Sequence, residues 1–207
     1  MGRPMTFARD EAIGKALDVF WVAGFAATTP QDLLDGLGIG KGSLYHAFDS
    51  KRGLYDLALG EYVRRRSDFL RSMLRRPGPR LKALAGAADV LVGLDDPLRN
   101  GCFVVNAVAE LGHDEHVAKS ASEFFAFVES EFRVCLEQAA AAGEIDAGLD
   151  TVRAAAQLLA VVMGASVLMR AGVDRAAVRK TLRGALDPLA LPKHDGARSA
   201  DSPRPGG

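Results

Sequence analysis

Between residues 29 and 55 the chain reads TPQDLLDGLGIGKGSLYHAFDSKRGLY, and this stretch constrains the fold more than any other. A short helix over Pro30–Leu37 is predicted to break at Gly38-Ile39-Gly40, with a second helix over Lys41–Phe48 following at once. Thr29 is placed to cap the first helix. Pro30 suits its first position, where a missing N–H has no partner to lose. Leu33, Leu34 and Leu37 share one face of the first helix, and Leu44 and Phe48 share one face of the second. Two short helices locked through such faces make a helix-turn-helix, and the outer face of the second can then enter a DNA major groove. That face carries Lys41, Ser43, Tyr45 and His46, all hydrogen-bond donors.

The rest of the chain also has helical periodicity, with no alternating strand pattern. A helix over Arg9–Ala23 carries Ile13, Leu17, Phe20 and Trp21 on one stripe and ends at Gly24. A longer helix is predicted from Ser50 to Arg75, with Leu54, Leu57, Ala58, Tyr62 and Phe69 inward, until Pro77-Gly78-Pro79 breaks it. Further helices are predicted over Arg80–Leu94, Gly101–Leu111, Glu115–Ala142, Thr151–Ala171 and Arg175–Leu189. The expected architecture is all-α, with about nine helices. Residues 1–52 form a three-helix DNA-binding domain, 53–192 a bundle for ligand binding and dimerisation, and 193–207 a polar tail.

The stretch GIGKGSLYHAFDSKRGLY, with ALDVFWVAGFAATTPQDLL before it, closely resembles the DNA-binding end of the tetracycline-repressor (TetR) family of bacterial regulators. Thr28-Thr29 fits the family's capping threonine, and Gly42-Ser43-Leu44-Tyr45 fits the core of its recognition helix. Phe48 and Lys51 fit the Phe and the helix-opening Lys that follow. Gly40 departs from the pattern, which commonly has a capping Ser or Thr there. The strong match spans roughly Phe7 to Leu57, and the remainder matches in length and helical texture. The resemblance implies a homodimeric, ligand-responsive regulator, generally a repressor, on a palindromic double-stranded operator. It further implies DNA contacts from Thr29, Lys41, Gly42, Ser43, Leu44, Tyr45, His46 and Lys51. By their chemistry, Lys41 and Lys51 are point charges for phosphate, Thr29 and Tyr45 offer hydroxyls to phosphate, and Ser43 and His46 suit base edges. Arg3 suits a minor-groove arm or a free tail. The run Arg64-Arg65-Arg66 reads as a solvated face before it reads as a phosphate contact.

Charge agrees with this reading. Met1–Arg80 holds 13 basic and 9 acidic residues, whereas the whole chain is neutral with 26 of each, so the DNA-binding end carries the positive excess. Two cysteines, Cys102 and Cys135, make no disulfide framework and suit a reducing compartment. The start, MGRPMTFARDEA, lacks an apolar core of the signal-peptide kind, so the expected location is the cytoplasm. The most apolar run, Ala154–Met169, is read as too short to span a membrane. No motif calls for a cofactor.

For the sensing half, Cys102, Asn106 and Glu110 fall at i, i+4 and i+8 on one stripe. Cys102 is placed at a helix start, where the helix end favours a reactive thiolate, but it reads as a small buried hydrophobe before it reads as a reactive thiol. A small apolar or thiol-reactive effector is expected beside Cys102, Phe103, Asn106 and Glu110, with Phe124 and Phe127 as walls or as core. A cysteine-dependent enzyme or redox sensor centred on Cys102, with His113 or His116 as base, is the competing class, and a helical ligand carrier is a third. His113-Asp114-Glu115-His116 reads as a capping loop before it reads as a metal site, so no metal is expected. The small-residue helix Thr151–Ala171 offers Leu158, Val162, Ala165 and Met169, and the next helix offers Val178, Leu182 and Leu186. These are expected at the dimer interface, with internal core as the other reading; apolar residues around so much of Thr151–Ala171 favour core and interface together.

Overall fold

The computed structural model describes residues 9–94, 96, 98 and 100–191. Arg3 and residues 193–207, read above as a DNA-contacting arm and a polar tail, lie outside the described residues. Among the described residues run nine α-helices: α1 Arg9–Ala23, α2 Pro30–Leu37, α3 Lys41–Phe48, α4 Lys51–Leu74, α5 Arg80–Val92, α6 Phe103–Leu111, α7 Glu115–Ala141, α8 Thr151–Arg170 and α9 Arg175–Leu186. A short 3-10 turn, Asp187–Leu189, follows. The described residues contain no strand, only an isolated bridge between Ile145 and Ala190.

The helix ends are set by local chemistry. Thr29, Ser50, Asp114, Asp150 and Asp174 each accept a hydrogen bond from a main-chain N–H one turn in, which satisfies a donor the helix itself cannot. Thr29 and Asp32 complete a reciprocal capping box. Pro79, before α5, has no side chain to offer. Glu144, 64 residues on, supplies the cap by accepting from the N–H groups of Arg80 and Leu81 at 2.7 and 2.9 Å.

The helix-turn-helix closes on Leu33, Leu37, Leu44 and Phe48, all buried, together with Leu17 and Phe20 of α1 and Leu54 of α4. The core does not stop there. Rings from four helices and the α1–α2 turn meet in one seam: Phe20 and Phe25 each lie 5.1 Å from Tyr55, Trp21 lies 5.1 Å from Tyr62, and Phe103 lies 5.6 and 5.7 Å from Tyr55 and Tyr62. Phe124 of α7 closes the seam at 6.4 Å from Tyr62. Most of these contacts are edge-on or tilted, as ring quadrupoles prefer, and burying each ring contributes about 2–3 kcal/mol. The long α4 is therefore shared, as expected, though Phe69 faces solvent and Leu57 is only half-buried.

The expectation for α8 and α9 is corrected. Leu158, Val162, Ala165, Met169, Val178, Leu182 and Leu186 are all buried within the chain and form its internal core. The outward side of α8 is a different set: Gln157, Ala160, Gly164, Val167 and Leu168 are exposed, and Val161 is half-buried. A helix apolar on both sides has no unique inward stripe in its sequence. At 20 residues α8 is also, by length and composition, the one described helix apolar enough to cross a membrane. The sequence reading had counted a shorter run. Its buried side packs on α5, α7 and α9, as a core helix does.

The junction before α6 makes a testable demand. Gly101 has φ +67, and a Cβ there falls 2.6 Å from the main-chain oxygen of Ser166 in α8, whereas Gly143 has φ +71 with open space around it. Alanine at either position costs about 1–2 kcal/mol for the left-handed backbone. Gly101→Ala must in addition push α6 off α8. Urea unfolding is expected to show Gly101→Ala as clearly the less stable of the two, and equal losses would contradict this packing.

Candidate nucleic-acid interface and adjoining cavity

On α3, Lys41, Gly42, Ser43, Tyr45 and His46 are exposed, while Leu44 and Phe48 turn inward. Leu44 is thus corrected from a DNA contact to the residue that seats the helix. Gly40 makes no side-chain cap, so the first N–H groups of α3 face outward without a side-chain partner, in the polarity that attracts anions. A Cβ at Gly42 would meet nothing within the chain, which leaves the first turn flat and approachable. Thr29 is exposed next to this face, but its hydroxyl donates to Asp32 at 2.8 Å and accepts from the Asp32 N–H. Its proton serves the cap of α2, not the phosphate expected from sequence. Lys51 lies with its Nζ 4.6 Å over the Phe25 ring.

The turn after α3 was not foreseen. Asp49 takes φ 58 and ψ −48, and the N–H of Ser50 donates to the Phe48 carbonyl two residues back at 2.6 Å. This tight, rarely populated turn swings the chain from α3 directly into α4. Gly53 permits the close approach, because a Cβ there would lie 2.8 Å from the Phe48 oxygen.

The arginine run settles on the solvated reading. Arg64 pairs with Glu61 and Asp68 and Arg65 with Glu61, holding the Glu61 carboxyl below its ordinary range. Arg66 lies over Trp21 and Tyr62 at 5.5 and 5.3 Å.

Between α1, α4, α6 and α8 lies a cavity of about 560 Å³, lined by Phe20, Tyr55, Phe103, Asn106, Glu110 and Arg170 among others. Phe103, Asn106 and Glu110 were expected at such a site and are brought together there. Phe124 and Phe127 are not. Phe124 belongs to the aromatic core, and Phe127 stacks under Arg71 at 4.6 Å. Arg170 was missed, since nothing local in α8 marks it.

Glu110 does more than line the cavity. Its carboxylate accepts from the N–H groups of Phe25 and Ala26 in the α1–α2 turn, at 2.8 and 2.6 Å. The turn is held from two further sides. The Trp21 indole N–H donates to the Gly101 carbonyl at 3.2 Å, and Arg170 donates to the Trp21 carbonyl at 3.1 Å. Below α3, Arg52 grips Asp114 with two bonds of 2.7 and 2.8 Å and also holds Asp56 at 2.8 Å. Asp114 at the same time caps α7 by accepting from His116 and Val117. These hydrogen bonds, Arg52 first and then the Val117 N–H, hold its carboxyl well below the ordinary range. Asp114 thus has a structural post, as the capping reading expected.

Cys102 is the buried thiol of the two readings. It stands at the start of α6, and the N–H groups of Val104 and Val105 do favour its thiolate, but complete burial outweighs them and pushes the pKa up. The Tyr62 hydroxyl is buried beside it without a well-formed hydrogen bond between them. Cys135 is likewise pushed up by burial, to about 11. His113 is exposed beyond the far end of α6, roughly 15 Å along the helix axis from Cys102, so no thiol–imidazole pair forms.

Comparison with known proteins agrees with this geometry. Residues 13–58 match the family model described as bacterial regulatory proteins, tetR family, and residues 77–185 match the tetracyclin repressor-like C-terminal domain. The chain is 30% identical over 179 residues to the HTH-type transcriptional repressor ComR of Escherichia coli (strain K12), covering 84% of each protein. It is 31% identical over 154 residues to the uncharacterized HTH-type regulator YezE of Bacillus subtilis (strain 168), over 73% of this chain and 79% of that one. A TetR family regulator, CifR, solved in a cysteine-substituted form with 26-bp double-strand operator DNA, superposes with a TM-score of 0.76 at 29% identity, over 89% of this chain and 98% of that one.

Two outcomes follow from the site. With both thiols buried and mainly protonated, iodoacetamide at about pH 8 is expected to label neither cysteine until denaturant is added; fast labelling of Cys102 in the native protein would overturn its placement. Because the Asp114 pKa is depressed by folding, its contribution to stability is complete above the unfolded value of about 3.9 and is lost as pH falls below it. Asp114→Asn should therefore lose less stability than the parent between about pH 7 and about pH 3 in urea melts. Parallel acid limbs would remove the Arg52–Asp114 pair from the account.

Proposed function

The chain belongs to the tetracycline-repressor family of bacterial transcriptional regulators, and from that premise we propose that it is a homodimeric repressor released from a palindromic operator by a small effector. The observation that carries the reading is the outer face of α3. Lys41, Ser43, Tyr45 and His46 are presented together on a helix whose other side is fixed by Leu44 and Phe48. Residues 1–52 act as reading head and 53–192 as sensing and dimerisation bundle. Lys41, Lys51 and Tyr45 contact phosphate; Ser43 and His46 reach base edges.

One head alone binds weakly, so two must be held about one helical turn of DNA apart, roughly 34–36 Å. The outward side of α8 supports a second copy there. Val167 and Leu168 are 52% and 39% exposed, and Ala160, Val161 and Gln157 form a shallow groove with Ala185 and Leu189 beyond α8. Small residues such as Gly164 and Gly184 let helices of the two copies approach closely. The effector enters the cavity between α1, α4, α6 and α8 and biases the heads by way of the contacts that tie α1 to α6 and α8. A preference of about 1–3 kcal/mol for the released form suffices to shift occupancy five- to 150-fold.

The test is binding to a genomic fragment library, followed by footprinting and a salt titration. Two protected half-sites one turn apart are expected. Lys41→Ala should lower the salt slope by about 1, and Lys41→Ala with Tyr45→Ala should weaken operator binding by about two orders of magnitude while leaving the dimer intact on sizing. Unchanged affinity in the double variant would displace α3 as the reading helix.

A further inference from the structure

The cavity holds two charged side chains, and each of them also holds the reading head. Glu110 spends both carboxylate oxygens on the N–H groups of Phe25 and Ala26. Arg170 spends Nη1 on the carbonyls of Trp21 and Asn100, at 3.1 and 3.4 Å, and makes no ion pair with any described carboxylate. The other walls include Phe20, Tyr55, Phe103 and Val167. Arg170 is exposed at the mouth of this largely apolar pocket, so the charge there without a described counter-charge is positive.

From that juxtaposition we infer that the cavity takes a small apolar organic acid, whose carboxylate pairs with Arg170, and that this pairing loosens the α1–α2 turn. The inference rests on the reading of the chain as an effector-released repressor and names the effector's chemical class. A guanidinium offers a planar fork that fits a carboxylate with two parallel hydrogen bonds, while an aromatic or branched aliphatic body lies against the ring wall. A volume of about 560 Å³ suits a molecule of that kind. Cationic ligands would meet a carboxylate already engaged by two N–H donors and the like charge of Arg170. Neutral ligands would leave the guanidinium unmatched.

The consequence for the head comes from two effects with one direction. Arg170 turning to the ligand withdraws from the Trp21 carbonyl. The incoming carboxylate also sets a second negative charge beside Glu110, which disfavours the Glu110 position on the turn. Both contacts lie at the C-terminal end of α1, directly before the helix-turn-helix.

The experiment uses the full-length protein and three probes of one shape: 1-naphthoate, 1-naphthylmethylamine and 1-naphthalenemethanol. Calorimetry is expected to show the acid binding about tenfold or more tighter than the other two. Arg170→Gln should erase that preference, and Arg170→Lys should retain part of it. An amine or alcohol that binds as well as the acid overturns the assignment, as does a preference that survives Arg170→Gln. If Arg170→Gln does not fold, the ranking on the unaltered protein decides alone. The coupling is read separately, by titrating 1-naphthoate into the complex with a footprinted DNA fragment. Release of DNA supports it, and bound acid without release overturns it. A protein that binds no DNA defeats the repressor reading, and the coupling with it, while the calorimetric ranking still decides the ligand class.

Discussion

Everything in this molecule hangs on the seam of rings where α1, α4, α6 and α7 meet. Phe20 and Phe25 reach it from the DNA-binding end, Tyr55 and Tyr62 from the long helix, and Phe103 and Phe124 from the bundle. No polar layer separates the two halves at that point. The seam fixes where α1 ends, and the end of α1 fixes the turn that launches α2 and α3. Phe103 of α6 is thus joined to α1 and α4 through side chains in direct contact.

Around the apolar seam lies a polar collar of a different kind. Glu110, Arg170, the Trp21 indole and the Arg52–Asp114 pair each join an element of the head or its base to one of the bundle. Rings in close packing resist small displacements. Hydrogen bonds at the border of a cavity can be exchanged for bonds to a ligand at little net cost. The combination gives a rigid body with a few replaceable fasteners, and two of them, Glu110 and Arg170, line the cavity.

Much of this was legible in the sequence because helix ends are written locally. Thr29 with Pro30, Asp114 and the glycines 24 and 38 mark starts and stops by their own local chemistry, and the observed bounds follow them to within about two residues at most ends. The outer face of α3 was legible for the same reason: its inward residues, Leu44 and Phe48, are unambiguous. What stayed hidden depends on partners far along the chain. Residue Glu110 meets Phe25 and Ala26 across 84 to 85 positions, and Arg170 meets Trp21 across 149. Sequence placed Cys102 at a helix start, and that was right. Burial under the ring seam then reversed the expected effect on its thiol. In α8, apolar residues on both sides left periodicity with two equal answers, and packing against α5, α7 and α9 chose the one not expected.

The joint between Glu110 and the α1–α2 turn is made to main-chain amides. It therefore asks nothing of the side chains at 25 and 26 themselves and constrains only Gly24, whose φ of +83 strains any Cβ and whose Cβ would crowd the Glu110 oxygen at 3.0 Å. Residues on the DNA side of the head can change one after another without unfastening that joint. Such a head can acquire a new target sequence while inheriting its old connection to the bundle. A single glycine and a single carboxylate carry the inheritance.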